Sequence, residues 1–244
     1  MGRYLLLADV HANLRALDAV LADARDRGGF DVVWMLGDVV GYGPEPDECI
    51  ERLREYPLVC VAGNHDLATV ERVDLDLFNR EAAIACVWGR TRLSERSLRF
   101  LNELPLEQRV QPFHLVHGSP RSPAWEYVVS PGDALRAGRF CLEPHCLVGH
   151  THCPVVYRML PGEAPDGGSA SDGDTTMLQG RLLINPGAVG QPRDGDPRAA
   201  YAVLDTDALT VTFHRVEYDV AGTSAAMLRL GLPAALARRL HGGY

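Results

Sequence analysis

The chain has 244 residues, of which 46% are hydrophobic and 23% are charged, and its formal net charge is −8. These values are typical of a globular protein with a packed core. The negative charge argues against the broad basic surface of a general nucleic-acid binder, so we expect no extended nucleic-acid binding. A phosphate substrate is not excluded, because bound cations can reverse the local field.

Targeting and redox signals are sparse. The apolar run near the N-terminus is far too short for a signal peptide, and no stretch approaches the roughly 18 apolar residues of a membrane span. We therefore expect no membrane partner. No Cys-x-x-Cys pair occurs, and we interpret all six cysteines as reduced thiols of a cytoplasmic protein: Cys49, Cys60, Cys86, Cys141, Cys146 and Cys153.

The first part of the chain alternates short strands with helices. Strands are predicted at residues 4–8, 32–36 and 58–62, with helices at 14–24 and 46–56 between them. Asn13 is the candidate N-cap of the first helix. The order β-α-β-α-β predicts a sheet covered by helices, and therefore an α/β fold.

The second part has two helices and then a series of strands. The helices lie within residues 77–104, and Ser94 is the candidate cap of the second. We interpret residues 161–175, rich in Gly, Asp, Ser and Pro, as a mobile surface loop. A last amphipathic helix is predicted at 225–240, with a break at Pro233. The predicted strands are at 113–116, 146–148, 155–159, 181–184, 200–204 and 209–216.

Five of the predicted strands deliver polar residues at their C-terminal ends, the edge at which ligands bind in open α/β sheets. The first such block is Asp9-Val10-His11. In an extended chain, residues i and i+2 point to the same side, so Asp9 and His11 can bind one cation. The alternative is a strand-end carboxylate followed by a helix-entry residue.

Two further blocks follow the next strands. The Asp38 carboxylate can bridge two cations, although an Asx turn is the alternative. In Gly63-Asn64-His65-Asp66, the Asn64 carbonyl is a neutral hard ligand, and Gly63 lets the backbone approach closely. His65 is a candidate general acid or donor to a substrate oxygen. Asp66 is the candidate group that orients its imidazole, or else a cap for the following helix.

Histidines complete the set. His117 ends one strand, and His150 and His152 follow another with a spacing that directs both to one side of an extended chain. Cys153 raises the rival of a structural zinc site, but no second cysteine lies nearby at finger spacing. We therefore favour a small buried residue at Cys153.

Together these blocks offer two carboxylates, one amide and four histidines, with His65 left over. This inventory suits two divalent cations and leaves open whether they are Mn, Fe, Zn, Co or Ni. Two such cations can share a bridging water, lower its pKa and hold phosphoryl oxygens during in-line attack. The combination predicts a metal-dependent phosphoesterase.

In this order, the blocks resemble the calcineurin-like metallophosphoesterase superfamily. Within it, the chain looks like the small bacterial predicted phosphodiesterases of the YfcE type, as Gly41-Tyr42-Gly43-Pro44 and Asn185-Pro186-Gly187 indicate. The resemblance implies a four-layer αββα sandwich, with two mixed β-sheets flanked by helices. We expect one domain over residues 1–244.

The resemblance also implies roles for the site residues. His65 would stabilise or protonate the leaving oxygen; Asp66, which we expect from the residues themselves to orient it, is the second candidate catalytic residue. Asp38 would bridge the metals together with a hydroxide that attacks phosphorus. The first metal would be held by Asp9, His11, Asp38 and His152, and the second by Asp38, Asn64, His117 and His150.

One departure bears on the reaction. Many members carry a further aspartate shortly after the Gly-Asp block, whereas Asp38 is followed by Val39-Val40-Gly41-Tyr42, which weakens a protein-phosphatase interpretation. We expect hydrolysis of phosphoesters, with phosphodiesters preferred on resemblance alone. The alternatives are a phosphomonoesterase or protein phosphatase, a nuclease acting on short oligonucleotides, and a non-catalytic metal-binding scaffold.

The substrate is expected to be a small phosphoester, with nucleotide-derived compounds among the candidates, and the oligomeric state stays open. Arg121 and Arg193 are candidate phosphate contacts, and Trp125 or Tyr127 can stack on a base. The alternatives are packing for the two aromatic residues and, for Arg193, a place in a purely structural connection.

Overall fold

The computed structural model describes residues 2–159 and 165–244. Within them, twelve strands alternate with eight α-helices and a short 3-10 helix, Leu75–Leu77. The strands are β1 (Arg3–Leu7), β2 (Val32–Met35), β3 (Leu58–Cys60), β4 (Glu107–Val110), β5 (Phe113–Val116), β6 (His145–Leu147), β7 (Val155–Met159), β8 (Asp166–Ser169), β9 (Thr175–Met177), β10 (Arg181–Asn185), β11 (Ala199–Asp205) and β12 (Thr210–Val216). The helices are α1 (Leu14–Asp26), α2 (Pro46–Leu53), α3 (Asn64–Thr69), α4 (Arg80–Arg90), α5 (Glu95–Glu103), α6 (Pro131–Gly138), α7 (Val220–Arg229) and α8 (Ala234–Gly242).

The strands form two mixed six-stranded sheets. The first has the order β3-β2-β1-β11-β12-β9, in which β1, β2 and β3 are parallel and β11 runs antiparallel to β1. The second has the order β4-β5-β6-β10-β7-β8, in which β5, β6 and β10 are parallel. The C-terminal ends of the parallel strands carry the polar blocks identified in the sequence.

Strand β1 shows how the layers are built. Alternate side chains of a strand point to opposite faces. Leu5 and Leu7 therefore pack in the core that includes helix α1, whereas Leu6 packs in the core between the sheets. Phe113 of β5 meets Leu6 in that second core. Burial on both faces explains why β1 is continuously apolar rather than alternating.

Helices cover the outer faces of both sheets. Helix α1 packs its buried stripe against the first sheet, and α6 packs Ala134 and Ala137 against the second sheet. The Asn13 side chain caps α1 by accepting a hydrogen bond from the Ala16 amide at 3.2 Å, which satisfies one of its free N–H groups. This order of helix, sheet, sheet and helix confirms the predicted four-layer αββα sandwich.

Most predicted elements are present, with shifted ends. The predicted last helix is broken as expected: α7 ends at Arg229, and Pro233 is the N-cap of α8. Residues 161–164 of the predicted loop lie outside the described residues, but strand β8 forms within its remainder and β9 begins at its last residue, so that part of the prediction is wrong. The sequence analysis also missed β4, α3 and α6. No helix of the described residues has the length and apolar character needed to cross a membrane.

Candidate metal centre

The eight polar residues that follow the strand ends meet at one edge of the sandwich. Each of them is at most 5% exposed. Their positions follow from the topology, since β1, β2 and β3 are neighbours in one sheet and β5 and β6 in the other. The eight are Asp9, His11, Asp38, Asn64, His65, His117, His150 and His152.

One group of candidate ligands surrounds the Asp9 carboxylate. The Nε2 atom of His152 lies 3.3 Å from Asp9 Oδ1, and the Nε2 atom of His11 lies 3.8 Å from the same oxygen. The two Nε2 atoms are themselves 3.2 Å apart. Asp38 joins this group, because its Oδ2 lies 3.6 Å from His11 Nε2.

A second group lies on the other side of Asp38. The Nε2 atom of His117 is 3.3 Å from Asp38 Oδ2, 3.2 Å from the Asn64 carbonyl oxygen and 3.0 Å from His150 Nδ1. Asp38 Oδ2 is thus shared between the two groups. This is the arrangement that the sequence analysis expected around a bridging carboxylate.

The hydrogen bonds of three histidines direct a lone pair into the cluster. The Nδ1 atoms of His11, His117 and His152 face the backbone carbonyls of Val40, Leu36 and Gln191 at 3.1, 2.8 and 2.5 Å. An imidazole that donates Nδ1–H to a carbonyl presents an unprotonated Nε2, which is the usual state of a metal-binding histidine. Neither the carbonyls nor the tautomers were foreseen from sequence.

These residues fit divalent cations. Two ligand atoms that are each about 2.1 Å from one cation lie about 3.0 to 3.4 Å apart at octahedral or tetrahedral angles, close to the distances observed. Asp9 Oδ1 is buried without a hydrogen-bond partner among the described residues. Buried polar atoms are normally satisfied, and a cation in the cluster would satisfy this oxygen.

Charge in the cluster is concentrated on Asp38 and His117. Burial opposes the charge of His117, but the Asp38 carboxylate beside it raises the pKa of the imidazole to about 9. Burial raises the pKa of Asp9 to about 7 and lowers the pKa of His11 and His152 well below its usual value. Burial also opposes ionisation of Asp38, but the imidazoles beside it, led by His117, hold the pKa of its carboxyl well below its usual range. Since burial disfavours most of these charges, a dication that Asp9 and Asp38 share would offset the cost.

The local backbone differs from the extended chain that the sequence analysis assumed. Asp9, His11, His150 and His152 have φ values of 54, 49, 67 and 62°, in the left-handed region that residues with a Cβ rarely adopt. The side chains converge because the chain turns at each strand end. The i and i+2 argument was therefore wrong, although it selected the right residues. Strain of this kind concentrates at functional sites.

Asp66 does not orient the His65 imidazole, which corrects the prediction. Its carboxylate accepts hydrogen bonds from the backbone amides of Asp38, Val40 and Gly63 at 2.8, 3.1 and 3.0 Å. Asp66 is the third residue of α3 and caps that helix through Gly63. Its hydrogen bonds connect the loop that follows β2 to the loop that follows β3. A Cβ atom at position 63 would lie 2.1 Å from Asp38 Oδ1, so the close approach predicted for Gly63 is present.

A cavity of about 180 Å³ opens beside the cluster. His65 and Arg193 line it, together with Trp125 and Tyr127. Tyr127 also stacks on the His150 ring, with centroids 4.0 Å apart. Other lining residues were missed as site residues, because nothing in the local sequence ties them to a strand end: Tyr42, Leu77, Phe78, Asn79 and Ala82.

Two residues that the sequence analysis considered for the site lie outside it. Arg121 is an exposed residue that pairs with Glu126, and it is not among the residues that line the cavity. Cys153 is half-buried and free, and it belongs to none of the clusters of potential metal ligands in the described residues. The zinc-thiolate alternative therefore has no support.

The chain is similar to several known proteins. A family model for the calcineurin-like phosphoesterase superfamily domain matches residues 3–209. The crystal structure of a metallophosphoesterase from Sphaerobacter thermophilus is 46% identical, has a TM-score of 0.89, and is matched over 100% of this chain and 99% of that chain. An uncharacterized protein of Methanocaldococcus jannaschii is 34% identical, with 96% of both chains covered. The structural neighbours also include the phosphoesterase YfcE from E. coli, at 23% identity and a TM-score of 0.47, covering 84% of this chain and 89% of that chain.

The family model covers most of the chain, and the histidines and carboxylates on which the resemblance rested form one buried cluster. The chain belongs to the calcineurin-like phosphoesterase superfamily.

Proposed function

We propose that the chain is a phosphodiesterase that works with two divalent cations. The observation that carries the proposal is the position of Asp38, whose Oδ2 lies 3.6 Å from His11 Nε2 and 3.3 Å from His117 Nε2. One carboxylate oxygen between two groups of candidate ligands is what a shared, bridging ligand requires. Asp9, His11 and His152 would hold the first cation with Asp38, and Asn64, His117 and His150 the second.

The bound cations would supply a water of lowered pKa and positive charge for the phosphoryl oxygens. The chain itself supplies a proton donor. His65 lines the cavity, and burial lowers its pKa to about 4, so the imidazole is neutral at pH 7. A neutral imidazole with a proton on Nε2 donates a hydrogen bond to the leaving oxygen, which favours the stabilising role over full protonation.

Arg193 is the proposed anion contact. Its side-chain hydrogen bonds in the described structure go to neutral partners, the Tyr42 hydroxyl at 3.4 Å and the Gln191 amide oxygen at 3.2 Å. A guanidinium that is largely removed from water and pairs with neutral groups has donors left for a phosphate oxygen. Arg121 is not a proposed anion contact, because its guanidinium already forms an ion pair with Glu126.

The lining of the cavity supports a diester over a monoester. Arg193 is the one arginine or lysine among the described lining residues, and aromatic side chains occupy much of the rest. A phosphodiester carries one negative charge and two organic groups, whereas a monoester carries up to two charges and one organic group. One cationic side chain beside several aromatic ones matches the first better. Small diesters, nucleotide-derived ones among them, are the proposed substrates.

The test is to load the protein separately with Mn²⁺, Co²⁺, Ni²⁺ and Zn²⁺ and to compare bis(p-nitrophenyl) phosphate with p-nitrophenyl phosphate. We expect turnover of the diester in at least one metal form and about two metal ions per chain by elemental analysis. Turnover of the monoester alone would replace the proposal by its first alternative, a phosphomonoesterase. Cleavage of oligonucleotides in preference to both esters would favour the nuclease.

A second experiment separates metal binding from chemistry. His65→Ala should keep both metal ions and lose about 10²- to 10⁴-fold in kcat, the range for a proton donor. Loss of the metals instead would move His65 into the ligand set. Inactivity of the wild-type protein with every metal on every ester would leave the non-catalytic metal-binding scaffold as the remaining function.

We extend the proposal to the whole chain and its surroundings. One domain over residues 1–244 is supported by the way in which α8, near the C-terminus, packs Leu236 and Leu240 with Tyr42, which follows Asp38 by four positions. The six free cysteines support the expected reducing, cytoplasmic environment. Limited proteolysis that released a stable fragment retaining both metals would contradict the single domain.

A further inference from the structure

The His65 imidazole has a partner that the sequence analysis did not consider. Its Nδ1 atom lies 3.4 Å from the thiol of Cys86, which is buried in helix α4. Asp66, the partner expected from sequence, instead binds three backbone amides. The contact with Cys86 therefore lies at the Nδ1 edge of the ring.

Two helices bring the groups together. His65 and Thr69 are four residues apart in α3, so their side chains lie on the same face one turn apart. That face packs against the buried side of α4, which carries Cys86. The Thr69 side chain lies near the same thiol, and its buried hydroxyl has no hydrogen-bond partner among the described residues. Cys86 thus lies between a hydroxyl and an imidazole.

The chemistry of these groups sets the direction of the hydrogen bond. Burial raises the pKa of Cys86 to about 12, so the sulfur carries its proton at pH 7. An imidazole nitrogen with a free lone pair is a stronger acceptor than a thiol sulfur. The favoured arrangement is S–H of Cys86 donating to Nδ1 of His65, which leaves the proton of the neutral ring on Nε2.

The backbone at Gly41 also limits the movement of the His65 ring. A Cβ atom at position 41 would lie 2.6 Å from His65 Nδ1 and 2.9 Å from its Cγ. Gly41, with a φ of 96°, therefore allows the chain to pass directly against the imidazole. Phe78 adds an edge-on contact, with ring centroids 5.1 Å apart. The ring is confined, and the Cys86 contact decides which nitrogen is protonated.

We propose that Cys86 is a positioning residue that holds His65 in the tautomer with Nε2–H directed into the cavity, toward the leaving oxygen of the substrate. This inference rests on the role proposed above for His65. Cys86 acts through the imidazole and does not itself touch substrate. A third group that orients the acid or base is a recurrent feature of such sites, and here a thiol takes the place of the more usual carboxylate.

The first measurement does not depend on turnover. Protein labelled with ¹⁵N-histidine and loaded with diamagnetic Zn²⁺ gives the tautomer of His65 from its ring-nitrogen chemical shifts, assigned by comparison with His65→Ala. We expect a protonated Nε2 and an unprotonated Nδ1 in the wild type, with Cys86→Ala shifting toward a mixture of tautomers. A wild-type ring protonated on Nδ1 would overturn the proposal, and so would a Cys86→Ala spectrum identical to that of the wild type.

The second measurement is kinetic. Cys86→Ala should lower kcat about tenfold or more, with a larger loss on esters of poor leaving groups than on nitrophenyl esters and with KM little changed. Cys86→Ser, whose hydroxyl can donate to Nδ1, should recover most of that loss. In a His65→Ala background, Cys86→Ala should have no further effect. Additive losses in the double variant would contradict action through His65.

A control covers the effect of removing a buried thiol. Cys49 is fully buried in helix α2 and belongs to the core against the first sheet, so Cys49→Ala should leave kcat and the His65 tautomer unchanged. Thermal unfolding and metal content of each variant separate misfolding from mispositioning. If wild-type protein with the expected tautomer hydrolyses no ester, the proposed function fails, and the tautomer of Cys86→Ala alone decides whether Cys86 fixes the ring.

Discussion

The Nε2 atoms of His11 and His152 face each other at 3.2 Å, although the Nδ1 atom of each ring is directed at a backbone carbonyl. Two neutral rings in this arrangement oppose their lone pairs, which repel each other. A cation between the two nitrogens converts that repulsion into two bonds. The pair therefore indicates that this part of the fold is organised around a metal.

Metal removal should consequently lower stability. A ligand present at 100 times its dissociation constant stabilises the folded state by about 2.7 kcal/mol, and a chain of this size changes its Tm by about 2 to 4 °C per kcal/mol. We expect chelation to lower the Tm by about 5 to 10 °C, as measured by scanning calorimetry. His152→Ala is the matched control, in which the metal-dependent shift should be smaller. Equal Tm values for chelated and metal-loaded wild type would contradict the role of the pair.

We predict that Asp66 stabilises the fold and has no direct role in catalysis. Asp66→Ala leaves three buried backbone amides without an acceptor, and each unsatisfied group costs about 1 to 3 kcal/mol. We expect the free energy of unfolding in urea to fall by about 3 kcal/mol or more, with loss of metal as the β2 and β3 loops separate.

The comparison for Asp66 is Asp133→Ala, which removes a carboxylate that hydrogen-bonds at the start of α6 and should cost only about 1 kcal/mol. If Asp66→Ala kept wild-type stability and metal content but lost turnover, Asp66 would have the catalytic role that the sequence suggested.

Much of the metal cluster could be predicted because the ligands follow buried strands. Asp9 comes directly after an apolar run, and Asn64 follows a short strand and a glycine, so the sheet itself places them at one edge. Each block also carries ligand chemistry within a few residues. The identity of the cluster is thus contained in local sequence, even though the left-handed turns at Asp9 and His150 are not.

The partners of those residues could not be predicted in the same way. Cys86 lies in a helix whose apolar spacing says only that one face is buried, and its contact with His65 depends on how α4 packs on α3. The short helix α3 was itself missed, and its start at Asn64 directs Asp66 back toward Gly63 and away from the imidazole. Arg193 and Arg121 looked equivalent in sequence, but in the structure Arg193 lines the cavity, whereas Arg121 pairs with Glu126.

Acid should weaken the attachment of α1 to the first sheet. Asp23 accepts hydrogen bonds from the Tyr201 hydroxyl at 2.5 Å and from Arg27 at 2.8 Å. Partial burial opposes its charge, but these two donors hold the pKa of the Asp23 carboxyl below its usual value. A depressed folded-state pKa stabilises the fold above the unfolded value, about 3.9 for Asp, and the stabilisation is lost as the pH falls through the folded pKa.

The stability difference between wild type and Asp23→Asn should therefore be constant from pH 7 to about 5 and shrink below pH 4, as followed by urea unfolding of chelated protein. Asp26→Asn, an exposed position on the same helix, should show a much smaller difference throughout. A wild-type advantage over Asp23→Asn that grew as the pH fell would have the opposite sign and would exclude this account.

Substitution of Arg193 should lower kcat/KM far more than substitution of Arg121. Arg193 lines the cavity and hydrogen-bonds to neutral groups, so Arg193→Gln removes a charge-assisted contact worth about 1.5 to 3 kcal/mol. This corresponds to a decrease of about 10- to 150-fold in kcat/KM for the diester, at unchanged metal content. Arg121→Gln, which breaks only the surface pair with Glu126, should change kcat/KM less than twofold and leave the Tm nearly unchanged. A larger kinetic loss for Arg121→Gln than for Arg193→Gln would place the phosphate at the other arginine, and the cavity would then have to open toward Glu126 when substrate binds.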